Sequence, residues 1–112
     1  MPRRAGKPRW NDPGLLILAS LSGGPKHGYA MTQDIEVLFG IAIGPGTLYG
    51  AISRLEEHGY IEPLGGDDRR RPYRLTARGG RFLAEQSREM SDFAALTRKR
   101  MSRAPAPQGG RS

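Results

Sequence analysis

The segment from Gly46 to Leu75 constrains this chain more than any other. Leu48, Ile52 and Leu55 recur at i, i+4 and i+7, the spacing of one buried face of a helix. Pro45 suits the first turn of that helix, because its missing N–H would have no helical partner there. Gly59 supplies the left-handed stop. Two β-prone runs follow at once, Tyr60-Ile-Glu-Pro-Leu64 and Arg71-Pro-Tyr-Arg-Leu75, separated by Gly65-Gly-Asp-Asp-Arg-Arg70 as a charged hairpin tip. A short helix running straight into a basic hairpin leaves few folds open.

That order is the layout of a winged helix-turn-helix, and the rest of the chain is compatible with it. Gly14 to Leu21 is apolar on all sides, so periodicity alone does not separate a buried helix from a strand. Its Leu and Ala content and the helical segments around it favour a helix. Ser22-Gly-Gly-Pro-Lys-His27 reads as a turn, and Gly28 to Phe39 as a second helix. In that helix Tyr29, Ile35, Leu38 and Phe39 are available for burial, with Thr32, Gln33 and Glu36 exposed. Gly40-Ile-Ala-Ile-Gly44 is a connector, with its β-branched residues as a candidate third strand for the hairpin. Thr76 is placed to cap a final helix from Ala77 to about Arg100, with Phe82, Leu83, Met90, Phe93 and Leu96 as its apolar residues.

The predicted fold class is mainly α with a small β-hairpin, a winged helix-turn-helix domain plus a C-terminal dimerisation helix. Its parts are a flexible basic arm (1–13), the DNA-binding domain (14–76), the dimerisation helix (77–101) and a tail (102–112) too poor in apolar residues to build a core. The last helix has more apolar residues than three short helices and a hairpin could cover. A partner chain would resolve this, and a two-fold homodimer is the commonest kind.

The charge is uneven. The chain carries a formal +7. Arg3, Arg4, Lys7 and Arg9 open it without an acid among them. From 11 to 66 only Lys26 and Arg54 stand against Asp12, Asp34, Glu36, Glu56, Glu57 and Glu62. The hairpin tip and the stretch after it then bring Arg69, Arg70, Arg71, Arg74, Arg78 and Arg81 against Asp67 and Asp68. Clustered basic charge of this kind is the footprint of a module that binds nucleic acid.

A recognition helix meets base edges mainly through its N-terminal residues. With Leu48, Ile52 and Leu55 turned inward, Thr47, Tyr49, Gly50 and Ser53 fall on or beside the outer face. The small residues there let backbone approach DNA closely, and first-turn N–H groups can bind a phosphate. Tyr49 can reach a phosphate through its hydroxyl or pack against the second helix, and the sequence leaves both open. Arg69, Arg70 and Arg71 sit where long cationic side chains follow the DNA backbone or enter a narrow minor groove. Lys26 and His27 precede the second helix, where a phosphate contact and a capping role are equally open.

Catalysis finds no support. His27 and His58 are the only histidines, in no metal-ligand spacing, and there is no cysteine, nucleophile elbow, P-loop or dinucleotide fingerprint. No metal or cofactor is expected. The lack of cysteine fits a reduced compartment. No apolar run approaches the roughly 20 residues that span a bilayer, and no signal peptide is expected.

Pro25-Lys-His-Gly-Tyr29, Gly46-Thr-Leu-Tyr49, Arg54-Leu-Glu56, Gly59-Tyr-Ile61 and Arg70-Arg-Pro-Tyr-Arg-Leu-Thr76 with Gly79, in this order, resemble the PadR family of bacterial transcriptional regulators. The resemblance covers about residues 14 to 84 and is closest to the compact subfamily with a single C-terminal helix. It implies a cytoplasmic, nucleoid-associated homodimeric repressor of a transporter or stress gene. Such a repressor binds a pseudo-palindromic operator of double-stranded DNA and dimerises through its N-terminal and C-terminal helices. It further implies a small aromatic effector near the dimer interface, for which Trp10, Leu15, Phe82, Met90 and Phe93 are the candidate positions. The Pro- and Arg-rich start departs from the helix that usually opens the family, which makes the arm a candidate DNA contact instead. Two rivals stand beside this reading: a non-specific architectural DNA-binding protein, and a winged-helix module that binds a protein partner.

Overall fold

The computed structural model describes residues 10–65 and 70–103. Its elements are α1 (Pro13–Leu21), α2 (Gly28–Phe39), α3 (Pro45–Glu57), β1 (Ile61–Pro63), β2 (Tyr73–Leu75) and α4 (Ala77–Arg103). The architecture is mainly α with one small hairpin, as the sequence predicts.

The ambiguous apolar run is a helix. Asp12 caps it, its carboxylate accepting from Gly14 N at 3.0 Å and Leu15 N at 3.3 Å, and Pro13 stands in its first turn. Leu15, Leu16, Ile17, Leu18 and Leu21 are all buried, which is why the helix is apolar on every side. Its one buried polar side chain, Ser20, donates to Asp34 Oδ2 of α2 at 2.6 Å, so no hydroxyl is left unsatisfied.

Around α1 pack Met31 and Ile35 of α2, Leu48, Ala51, Ile52 and Leu55 of α3, and Ile61 and Tyr73 of the hairpin. Leu48, Ile52 and Leu55 are thus the buried stripe of α3 that their spacing predicts. Phe82, Leu83 and Met90 of α4 are half-buried against the same core.

The strands are antiparallel, with Ile61 opposite Leu75, Glu62 opposite Arg74 and Pro63 opposite Tyr73. Ile61 and Tyr73 point inward while the Arg74 guanidinium reaches out to Glu62 Oε2, with Nε and Nη2 each at 2.6 Å. Thr76 caps α4 as expected, accepting from Gly79 N at 3.0 Å.

Two expectations fail. In α2 the buried residues are Gly28, Met31 and Ile35; Tyr29 is 67% exposed, Leu38 57% and Phe39 37%. Apolar character or bulk favoured Tyr, Leu and Phe, but the spacing 28, 31, 35 is the one that lies along a single helical face. Thr32, expected to be exposed, is half-buried. The connector from Gly40 to Gly44 also forms no strand. The hairpin instead pairs with Lys26, whose N donates to Tyr73 O at 3.2 Å and whose O accepts from Tyr73 N at 3.0 Å. Ile41 and Ile43 contribute as half-buried side chains on the core, not as ladder partners.

Candidate nucleic-acid interface

The start of α3 is open. Gly44 occupies the N-cap position without a side-chain cap, and Pro45 follows in the first turn. A Cβ built on Gly44 or Gly46 would meet no atom within 4 Å, so neither glycine is there to relieve crowding inside the protein. Both lie where an outside body could come close to the backbone, beside N–H groups that lack helical partners. Thr47 and Ser53 are exposed and Gly50 is half-buried.

Tyr49 does two things at once. It is 48% exposed, and its hydroxyl end lies over Gly28, the first residue of α2. The ring therefore fills the angle between the two helices of the helix-turn-helix and still presents half its surface to solvent. Of the two roles the sequence left open, packing against α2 is realised in this geometry.

Lys26 faces inward more than a phosphate contact needs. Its Nζ donates to the carbonyls of Ser20 (2.7 Å) and Gly24 (3.2 Å) and lies 3.7 Å from Asp34 Oδ2. Its backbone joins the hairpin and its side chain joins α1 to α2. His27 holds the N-cap position of α2, half-buried and without a side-chain capping bond. Arg70 is exposed in a turn before β2, and Arg71 is half-buried. Arg69, with Asp67 and Asp68, lies outside the described residues.

The five positions suggested for a ligand have different surroundings within one chain. Leu15 is buried in the core. Trp10 is 55% exposed, its ring 6.4 Å from that of Phe39. Phe82 stacks on Tyr60 at 4.6 Å. Met90 is half-buried and Phe93 is 72% exposed on α4.

Sequence reasoning missed two contributors. Gly28 matters as the socket for Tyr49, and Asp34 as the acceptor that holds both Ser20 and Lys26. The pairing of Pro25-Lys-His-Gly-Tyr29 with Gly46-Thr-Leu-Tyr49 was the available signal for the first. Among the described residues no cluster of three or more His, Asp or Glu side chains could hold a metal. No described helix is long and apolar enough to cross a membrane.

Three helices around one core, the third exposed along one face and followed by a basic hairpin, define a winged helix-turn-helix protein. Residues 17–85 match the model of the Transcriptional regulator PadR-like family, and the chain belongs to that family of DNA-binding regulators, which are not enzymes. The chain is similar to a transcriptional regulator from Clostridium thermocellum, with 30% identity, a TM-score of 0.67, and coverage of 77% of this chain and 89% of that one. A PadR family regulator from Clostridium difficile shares the fold at a TM-score of 0.69 and 22% identity, over 80% of this chain and 97% of that one. An uncharacterized 37.1 kDa protein in transposon Tn4556 of Streptomyces fradiae is 42% identical over 83 residues, 74% of this chain. The chain spans 24% of that relative's length.

Proposed function

We propose that the chain acts as a homodimeric, sequence-specific repressor, placing its two α3 helices roughly 34–36 Å apart in successive major grooves of an operator. The observation that carries this is the uncapped, glycine-bordered start of α3, open to solvent, with exposed Thr47 and Ser53 and half-exposed Tyr49 on the same helix. Thr47, Tyr49, Gly50 and Ser53 position or read the major groove. Arg69, Arg70 and Arg71 grip the flanking backbone or minor groove, and His27 adds a phosphate contact at the start of α2. Lys26 acts mainly by tying α1 to α2 through its side chain while its backbone seats the hairpin.

Support for a dimer comes from α4. Phe93 is 72% exposed, Leu96 67% and Met101 63%, more apolar surface than one helix would leave in water. A second copy would cover it. A transporter or stress gene as target, and release by a small aromatic ligand that reaches Trp10, Phe82, Met90 and Phe93 across the two chains, extend the proposal; Leu15, buried in the core, is out of its reach. Binding to a labelled fragment of the gene's own promoter, with and without planar aromatic compounds, tests both parts.

A further inference from the structure

Outside the proposed DNA face, a chain of contacts centred on Tyr60 joins the end of α3 to the start of α4. Gly59 turns the chain at φ 76°, and Tyr60 N donates back to Leu55 O of α3 at 2.9 Å. Tyr60 O accepts from Thr76 N at 3.0 Å, and Thr76 Oγ1 donates to Gly59 O at 2.7 Å while capping α4 through Gly79 N. Gly79 is buried directly against the Tyr60 backbone, where a Cβ would overlap the Tyr60 carbonyl. The Tyr60 ring stacks on Phe82 of α4 with 4.6 Å between centroids and 11° between planes, and on His58 at 5.5 Å and 23°. The Arg78 guanidinium stands 5.6 Å from the centre of the same ring.

These contacts link α3 to the first two turns of α4 through the connector. One bond runs back from Tyr60 to Leu55, and the others join Gly59 and Tyr60 to Thr76, Arg78, Gly79 and Phe82, while α4 also packs on α1 and β2. To swing α4 relative to α3, the stack would have to part, the Thr76 bonds would have to break, or Gly79 would have to leave the Tyr60 backbone. Packed joints of this kind hold discrete arrangements instead of bending continuously. The exposed apolar residues of α4, Phe93, Leu96 and Met101, lie further along the same rigid helix.

We infer that Tyr60 is a positioning residue for DNA recognition: together with the packing of α4 on α1 and β2 it holds the angle between the recognition helix and α4, and so helps set the half-site spacing that the dimer accepts. The inference rests on the dimeric reading given above. In this role Tyr60 needs no contact with DNA and acts through the direction in which α4 meets its partner.

The chain has no cysteine, so Glu57→Cys, at an exposed position near the end of α3, gives one spin-label site per chain. Inter-label distances in the full-length dimer are then measured for four proteins: Tyr60, Tyr60→Phe, Tyr60→Leu and Phe82→Leu. The first two should share one narrow distribution, because both keep the stacked ring. The two leucine variants should give a broadened or shifted distribution while remaining helical and dimeric. They should also lose discrimination against an operator with one base pair, about 3.4 Å, inserted between its half-sites. If Tyr60→Leu fails to fold, Phe82→Leu alone decides. A dimer whose distance distribution and spacing preference are unchanged in the leucine variants overturns the inference and leaves the regulator reading intact. A parent protein without any inter-chain distance overturns the dimeric reading, and the inference with it.

Discussion

A methyl group on Gly28 would lie 2.5 Å from the Tyr49 hydroxyl oxygen, 3.0 Å from its Cζ and 3.2 Å from Leu48 Cδ2. The first residue of α2 and the outer face of α3 therefore meet at a point with no room for a β-carbon. Tyr49 sits over α2 because position 28 has no side chain, and a β-carbon there would have to move the half-exposed ring aside.

Gly28→Ala should push the half-exposed Tyr49 ring toward solvent and lower unfolding stability by less than the ~1–3 kcal/mol of overpacking a closed core. Denaturation in urea measures it. Placing Gly28→Ala in a Tyr49→Ala background should recover part of the loss, because the overlapping ring is gone. Strict additivity of the two changes would mean that the residues do not contact each other.

Tyr49→Phe separates packing from DNA contact. The ring that packs on α2 is retained, so thermal stability should hold, while affinity for the operator should fall by about 1 kcal/mol for the lost hydroxyl-to-phosphate bond. Unchanged affinity would assign Tyr49 to packing alone.

Arg70 and Lys26 should behave oppositely despite their equal charge. Arg70→Ala should weaken binding to all sequences and reduce the log–log salt slope by about 0.9, one phosphate contact fewer. Lys26→Ala should leave that slope in place and lower stability by about 1–2 kcal/mol, through loss of bonds to Ser20 O and Gly24 O. Salt titrations of binding, set beside urea curves, distinguish the two.

Thr76→Ala removes a helix cap and the bond to Gly59 O together, and should cost about 1–2 kcal/mol. Thr76→Ser keeps the oxygen and should stay within a few tenths of a kcal/mol of the parent by the same reasoning. Equal losses in both variants would place the effect in the threonine methyl.

The third helix and the hairpin were legible because each carries its own signal: a stripe at 48, 52 and 55, a first-turn proline and a stopping glycine. The inward face of α2 was not, because Tyr29, Leu38 and Phe39 are as apolar or as bulky as Met31, although only Gly28, Met31 and Ile35 share the buried face. The strand partner of the hairpin was misplaced for a similar reason. Ile41 and Ile43 have β propensity, but pairing is decided by which backbone lies alongside Tyr73, and that is Lys26. A clash such as Gly28 with Tyr49 depends on three-dimensional approach, so one sequence shows the two residues without showing that they meet. The same holds for the inward turn of Lys26, which looks like any exposed cation until Ser20, Gly24 and Asp34 surround it.

The most direct test is equilibrium binding to the promoter of the protein's own gene and to a scrambled sequence of equal length, at two salt concentrations. A sequence-specific regulator should prefer the promoter by roughly a thousandfold or more, and that preference should persist at the higher salt. Equal affinity for both DNAs, falling steeply together as salt rises, would contradict specific recognition by α3 and leave only a charged surface that coats DNA.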